Sequence, residues 1–400
     1  MTVQIKPSRA VGTVAAPPSK SAAHRALICA ALSSGATVSN IAYSDDISAT
    51  LDCLEKLGAT VKRGEDSVYL GGLVPQNIKN CTLDCRESGS TLRFLIPLCM
   101  LSDSKVTFTG ATRLFNRNLT VYEEIAKKDN IVFRKEENVI TVCGKLKGGK
   151  YTVAGNISSQ FISGLMFALP FVPTESTICV EGIFESRPYV AMTVDTLSAF
   201  GIIVREGDAE YKITRGQKYA ARDITVEGDY SNAAFLDGFN LIGGDVFVTG
   251  LDEKSIQGDR IYKKMYADLM SGQREFDLSD CPDLAPVMFA LSGVKGGAHF
   301  TGTARLKIKE SDRAEVMRQE LSEFGITVTV GENSVTVHGG TLSEPNSVLC
   351  GHNDHRIVMA LSLLCSITGG EIRGAEAVSK SFPDYFDKIQ TLGIEVNCDT

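Results

Sequence analysis

A helix ending near a glycine, a β-branched strand, a polar turn and a second strand recur along this chain as one repeated block. The copies read CLEKLGATVKRGEDSVYLGG (53–72), IAKKDNIVFRKEENVITVCG (125–144), LSAFGIIVREGDAEYKITRG (197–216) and LSEFGITVTVGENSVTVHGG (321–340). A truncated fifth copy, KIQTLGIEVNCDT, occupies 388–400. Their turn positions, Gly58, Asp129, Gly201, Gly325 and Gly393, recur about every 70 residues, with one step nearly twice as long. The long step leaves room for a sixth, diverged copy around 266–277. A glycine just past a helix takes the left-handed conformation without a Cβ penalty, and the Ile, Val and Thr that follow favour strand. Asp129 is the exception, because Asp tolerates that conformation less well than Gly. Polar clusters such as Arg63-Gly64-Glu65-Asp66 and Gly331-Glu332-Asn333 turn the hairpins.

A second helix precedes each block, for example 22–32, 90–101, 158–169 and 355–364. The full unit is therefore strand, helix, strand, helix, hairpin, and the fold class is α/β. A period of this size is too large for a solenoid and indicates duplicated subdomains, three to a domain. With 400 residues and 43% hydrophobic content the chain exceeds one ordinary core, so two domains are expected. The boundary is placed at Glu227-Gly228-Asp229, making 19–228 one domain. The opening strand segments, 2–5 and 12–14, precede the first helix motif and are expected to cross over, so that 1–18 plus 229–400 form the other. Without a long linker, the two are expected to place the ligand site in a cleft between them.

The 41 basic and 48 acidic residues give a net charge of −7, which argues against a nucleic-acid binder. The 11 cysteines lie mostly in apolar runs with no C-x-x-C pair, the pattern of reduced cytosolic thiols. No charged-then-apolar leader and no apolar run of about 18 residues appears, so a cytoplasmic protein without a membrane partner is expected.

Cations nevertheless collect at the helix mouths. In PPSKSAAHRAL (17–27), Pro17 and Pro18 hold the chain extended and Ser19 or Ser21 can cap the helix. Lys20 and Arg25 add full charges beside the free N–H groups and the positive end of the dipole. CRESGSTLRFLIP (85–97) offers the small turn Ser88, Gly89, Ser90 and Thr91 with Arg93 one turn inside. GNISSQFISGL (155–165) offers the neutral donors Ser158, Ser159 and Gln160. Between these lie Arg113 and Arg117 in GATRLFNRNL, and Ser186, Arg187 and Tyr189 in FESRPYVAMT.

Further on, SDCPDLAPVMFAL (279–291) places Asp280 and Asp283 at the start of an apolar helix. In ARLKIKESDRAEVM (304–317), Arg305, Lys307 and Lys309 alternate as if on one side of a strand, ahead of Glu310, Asp312 and Arg313. GHNDHRIVMAL (351–361) starts a helix with Asp354, His355 and Arg356, and SKSFPDYF (379–386) sets Lys380 between serines. His352 and His355 have no further Cys or His nearby, so no metal is expected. Each mouth alone is an ordinary cap. Caps do not need Lys or Arg, and the recurrence of Lys20, Arg25, Arg93, Arg117, Lys309, Arg313, Arg356 and Lys380 at equivalent positions implies a polyanionic small ligand.

Seven segments, PSKSAAHRAL, ESGSTLRFLIP, GNISSQF, SRPYVAMT, KESDR, DHRIVMAL and SKSFPDYF, together resemble the 5-enolpyruvylshikimate-3-phosphate synthase family of the enolpyruvyl transferase superfamily. The resemblance implies two domains of three βαβαββ units each, an inside-out α/β barrel architecture. It also implies transfer of the enolpyruvyl group of phosphoenolpyruvate to the 5-hydroxyl of shikimate 3-phosphate, on the shikimate pathway to chorismate and the aromatic amino acids, without a cofactor. By the same resemblance Lys20, Ser21, Arg25, Ser158, Ser159, Gln160, Ser186, Tyr189, Asp283 and Lys309 would hold shikimate 3-phosphate. Lys20, Gly89, Arg117, Gln160, Arg313, Arg356 and Lys380 would hold phosphoenolpyruvate, with Asp283 accepting the hydroxyl proton and Lys20 and Glu310 serving the enol carbon. Two phosphates and two carboxylates bring roughly six negative charges, which matches so many cations.

The chain departs from the family at Arg86, where Gly is common, at Glu87 for Asn, at Asn118 for Pro, and at Arg305, where some members have Asn. The sister transferase acting on UDP-N-acetylglucosamine should show Lys-Asn at the first motif and a cysteine in the 110–119 loop. Here the pair is Lys20-Ser21 and that loop has no cysteine. A non-catalytic phosphoanion-binding protein would have no use for Asp283 and Glu310 beside its anion site. A monomer is expected.

Overall fold

The computed structural model describes residues 1–399 and divides into two compact units, Pro18–Val226 and Met1–Pro17 with Glu227–Thr400. Among the described residues there are five four-stranded sheets and one of two strands. The four-stranded sheets share one plan. Cys81–Asp84 runs parallel to Leu101–Thr109, which pairs antiparallel with Val139–Lys145, and that strand in turn with Val132–Glu136. The helices Gly89–Cys99 and Thr120–Asp129 lie in the two connections, so the sheet is one strand, helix, strand, helix, hairpin unit.

Both units are closed by strands that are distant in sequence. In Pro18–Val226, the leading strand of the first copy is Ile224–Thr225, parallel to Ala36–Ser39. In the other unit, Val11–Ala15 leads a copy in parallel with Asp245–Thr249. Thr2–Ile5 pairs antiparallel with both Val396–Asp399 and Gly370–Arg373. The copy that looks truncated in sequence therefore receives its last strand from the N-terminus; its final residue, Thr400, lies outside the described residues.

Three local expectations are corrected. Residues 266–277 are not a hairpin-bearing copy. They contain the end of the helix Tyr262–Met270, a turn at Gly272 (φ +100°), and the strand Glu275–Asp277, which opens the next sheet by pairing parallel to Gly297–Thr301. The sixth sheet thus stops at two strands, and Asn240 covers its open edge. Its side-chain amide accepts from Val246 N–H at 2.6 Å and donates to Val246 C=O at 2.8 Å, as an antiparallel neighbour's backbone would. Second, Asn130 rather than Asp129 takes the left-handed position (φ +60°), since Asn reaches it at lower cost. Asp129 stays helical, and its carboxylate accepts from Lys147 N–H at 2.9 Å and the Tyr151 hydroxyl at 2.7 Å. Third, Arg305, Lys307 and Lys309 do not share a strand face. The strand Gly297–Thr301 ends before Gly302 (φ +69°), and Ala304–Ile308 is a 3-10 helix that buries Arg305 and Leu306 and exposes Lys307. At three residues per turn, positions two apart point in different directions.

Each unit has its own apolar core. Strands alternate with period two, burying Val68 and Leu70, Ile140 and Val142, Tyr151 and Val153, or Val335 and Val337 on one face. The first helices of the copies are buried nearly all round, so their sequences are apolar without a wet face; Ser159–Ala168 is one example and Ala285–Val294 another. Each fully buried Phe or Leu in them contributes roughly 2 kcal/mol. Close approach requires glycine at Gly164, where a Cβ would lie 2.4 Å from both the Arg93 carbonyl oxygen and Tyr122 Oη. This packing fixes the helix starts, and the charged residues sit there.

Candidate functional site

In the unit Pro18–Val226, Ser19 is the cap of the first helix, Lys20–Leu32, accepting from Ala22 N–H at 3.4 Å. Lys20, first in that helix, pairs with Asp46 at 2.8 Å. Asp46 stands in the first turn of the next helix, where the dipole favours a carboxylate. Arg25 is buried one turn further in. Its guanidinium donates to Thr193 Oγ1 (2.8 Å), Ser21 C=O (2.6 Å) and Tyr189 C=O (2.8 Å), and it lies over the Phe94 ring. Burial lowers its pKa to about 10, which leaves it charged at neutral pH. Arg25, Ser21 and Tyr189 are thus brought together as one rigid group.

The second helix, Gly89–Cys99, is capped by Ser88, which accepts from Thr91 N–H at 3.2 Å. At its mouth Gly89, Arg93, Arg117 and Gln160 converge. A Cβ on Gly89 would stand 2.7 Å from Arg117 Nη1, 3.3 Å from Arg93 Nη1 and 3.7 Å from Gln160 Oε1. Arg93 Nη1 donates to Gln160 Oε1 at 2.7 Å, and Gln160 Nε2 donates to Ser90 Oγ at 2.9 Å, so the amide has one orientation. Ser158 caps the helix that begins at Ser159, accepting from Gln160 N–H at 3.3 Å. Ser186 sits left-handed (φ +55°) immediately before the helix Arg187–Ala199, which carries Tyr189 in its first turn.

In the other unit, one carboxylate gathers three cations. Asp283 accepts from Lys309 Nζ (3.2 Å), Arg313 Nη1 (2.8 Å) and Arg356 Nη2 (3.1 Å). Arg313, 1% exposed, also binds Glu310 at 2.8 Å and Asp354 at 2.9 Å. Asp354 is the cap of the helix His355–Thr368, accepting from Arg356 N–H at 3.0 Å. Lys380 donates to the Asn353 carbonyl at 2.6 Å, next to that cap. Burial opposes ionisation of Asp283, but Arg356, Lys309 and Arg313 outweigh it and hold the carboxyl well below its usual range. Burial pushes Lys309 below its usual value, and Asp283 only partly offsets this because Arg313 opposes it. Lys309, Arg313 and Arg356 share Asp283 within a network that also includes Glu310 and Asp354, and an incoming anion competes with these carboxylates for the cations.

Of the departures, Arg86 takes φ +51° and pairs with Asp52 at 2.7 Å, while Asn118 accepts from Thr120 N–H at 2.8 Å and so tightens the chain after Arg117. Arg305 donates to Ser279 C=O at 2.6 Å. Glu87 is half-buried beside Ser88. Sequence reasoning missed Asp46 and Thr193 as partners, and counted Arg93 among the helix-mouth cations without giving it a substrate to hold. The acidic pair in a Ser-capped first turn was the available signal for Asp46; nothing local marks Thr193, which meets Arg25 only through folding. Among the described residues no helix is long and apolar enough to cross a membrane, and no group of three or more His, Cys, Asp or Glu is placed so that it could hold a metal.

Comparison with known proteins agrees over the whole length. The family model for EPSP synthase (3-phosphoshikimate 1-carboxyvinyltransferase) matches residues 5–389. A curated 3-phosphoshikimate 1-carboxyvinyltransferase of Clostridium kluyveri is 39% identical over 419 aligned positions, covering 99% of this chain and 98% of the relative. One of Clostridioides difficile is 36% identical, covering 98% and 97%. Among solved structures, EPSP synthase from Acinetobacter baumannii superposes with TM-score 0.79 at 20% identity, covering both chains fully. The enolpyruvyl transferase NikO from Streptomyces tendae gives 0.76 at 13% identity, covering 99% of this chain and 98% of that one. At those identities the structures speak for the fold, and the two-domain α/β architecture is that of the enolpyruvyl transferases. Family match and full-length relatives together place the chain in the EPSP synthase family.

Proposed function

We propose that this chain transfers the enolpyruvyl group of phosphoenolpyruvate to the 5-hydroxyl of shikimate 3-phosphate, releasing phosphate. The observation that carries the reading is the Asp283 cluster, a carboxylate bound by Lys309, Arg313 and Arg356 with Glu310 alongside. A protein built only to bind anions gains nothing from carboxylates there, whereas an addition step needs a base beside its anion site.

In this reading Lys20, Ser21, Arg25, Ser158, Ser159, Gln160, Ser186, Tyr189, Asp283 and Lys309 hold shikimate 3-phosphate, and Lys20, Gly89, Arg117, Gln160, Arg313, Arg356 and Lys380 hold phosphoenolpyruvate. The 5-oxygen bonds to C2 of phosphoenolpyruvate while its proton passes to Asp283. C3 gains a proton from Lys20 or Glu310, giving a tetrahedral intermediate. Loss of a C3 proton and departure of phosphate then restore the double bond. The cluster also supplies a switch in basicity. Before substrate arrives three cations hold Asp283 at low pKa and make it a weak base. Anionic substrate draws Arg313 and Arg356 toward itself, so the carboxylate becomes more basic when there is a hydroxyl to deprotonate. Elimination is helped by the same cations, which stabilise charge on the leaving phosphate.

One chain carries both groups of residues, so a monomer suffices, and a cytoplasmic location fits thiols that are free and mostly buried. The test is phosphate release with both substrates, run beside UDP-N-acetylglucosamine. Release only with shikimate 3-phosphate is expected. Tight binding of shikimate 3-phosphate without turnover would sink the reading.

A further inference from the structure

The turn that presents Asn353 to Lys380 is strained. Gly351 to Asp354 closes with Asp354 N–H donating to Gly351 C=O at 2.9 Å, and both central residues, His352 (φ +47°) and Asn353 (φ +55°), are left-handed without being glycine. Two positive φ values at the centre of a two-residue turn are ordinarily met by Asn-Gly or Gly-Gly. A bulky His in the first position persists only where its surroundings over-determine the conformation.

The surroundings here are one carboxylate. Glu320, buried, accepts from Cys350 N–H through Oε2 at 3.0 Å and faces His352 Nε2 through Oε1 at 2.6 Å. It therefore grips the chain on both sides of Gly351. His352 N–H also donates to Cys350 Sγ at 3.4 Å, and Gly351 N–H to Arg373 C=O at 2.8 Å. Glu320 belongs to the helix Arg313–Glu323, seven residues after Arg313 and hence on the same face two turns on. One helix thus offers Arg313 at its mouth and, further along, the carboxylate that fixes the turn. The turn's products are the Asn353 carbonyl, which takes Lys380, and the Asp354 carboxylate, which takes Arg313 and caps the helix bearing Arg356.

We propose that Glu320 and His352 are positioning residues for the phosphoenolpyruvate cations Lys380, Arg313 and Arg356, acting by clamping the 351–354 turn. The inference rests on the proposed function above. Glu320 to Gln keeps the shape but can accept only one of the two donors. His352 to Asn suits the left-handed backbone, yet is too short to reach Glu320. His352 to Gln restores reach and a donor.

The experiment is steady-state kinetics with each substrate varied separately, together with thermal melts. Glu320→Gln and His352→Asn are expected to raise KM for phosphoenolpyruvate about ten-fold, equivalent to about 1.4 kcal/mol. KM for shikimate 3-phosphate should stay within about two-fold and Tm nearly unchanged, with His352→Gln recovering the parent value. An unmoved phosphoenolpyruvate KM in an active enzyme overturns the clamp alone. Loss of both KM values in step with Tm also overturns it, since that is the mark of general destabilisation. A parent protein that releases no phosphate defeats the functional reading beneath it.

Discussion

Gly89→Ala adds one methyl group at the point where the helix mouth meets Arg117. Gly89 has no left-handed backbone, so the substitution carries no conformational penalty, and Ala favours the helix that Gly89 begins. The cost is steric and local. The new Cβ would stand 2.7 Å from Arg117 Nη1, and the guanidinium must retreat about 0.7 Å to reach the 3.4 Å of ordinary contact. Arg93 Nη1, at 3.3 Å, has almost no room to yield because it holds Gln160. Arg117 is the end of a flexible side chain, so stability should barely change. The charge-assisted bond proposed for it to phosphoenolpyruvate, worth roughly 1.5–3 kcal/mol, is what the displacement would spoil. KM for phosphoenolpyruvate should therefore rise on the order of 10- to 100-fold, with KM for shikimate 3-phosphate unchanged and Tm within about 3 °C. Initial rates with each substrate varied in turn, and a melt of both proteins, read all three quantities. Unchanged phosphoenolpyruvate kinetics, or equal weakening of both substrates, would refute the assignment of this mouth.

Lys20→Met should abolish turnover while leaving shikimate 3-phosphate binding within a few-fold, measured by calorimetry; parallel loss of both contradicts a role at the reacting enol. Asp354→Asn leaves Arg313 with a lost partner in a buried site and should cost about 3 kcal/mol at neutral pH by denaturant titration. The same variant tests acid stability. Burial opposes ionisation of Asp283 and Asp354, but cations, Arg356 foremost for the first and Arg313 for the second, lower both pKa values in the folded state. On acidification the unfolded chain therefore takes up protons first, and their stabilisation is full above about pH 5 and lost progressively as pH falls below it. Asp354→Asn should flatten the fall of Tm between about pH 5 and 3; an unaltered slope counts against this origin. Asn240→Leu strips the cover from Val246 and should cost about 1 kcal/mol with concentration-dependent association beyond the parent's, seen by sedimentation. Identical sedimentation and Tm would mean that the edge needs no cover.

The repeated block was legible because it is written in local chemistry. Gly58, Gly201, Gly325 and Gly393 all take positive φ, and the strands after them alternate as their β-branched residues predict. Helix mouths were equally legible, since Ser19, Ser88, Ser158 and Asp354 cap in the manner their residue types dictate. Where a pattern admitted two periods it misled: the cations of 304–309 read as a strand, and only the left-handed Gly302 and the buried Leu306 turn them into a 3-10 helix. The missing hairpin after Tyr262–Met270 escaped notice for a related reason, because a short strand beyond a glycine looks the same whether it starts a sheet or ends one.

By itself, then, the sequence determined the α/β repeat, the caps, and the residue types that meet polyanions at helix mouths, all of which depend on neighbours within a turn or two. Tertiary structure alone decided which side chains became partners: Lys20 with Asp46, Arg25 with Thr193, Arg93 with Gln160, and three cations on Asp283. It also decided that Thr2–Ile5 completes the last copy and that Asn240 stands in for an absent strand. Apart from Asn240 and Val246, six positions apart, those pairings join residues tens to hundreds of positions apart, and their energies depend on burial and orientation, which exist only once the helices have packed.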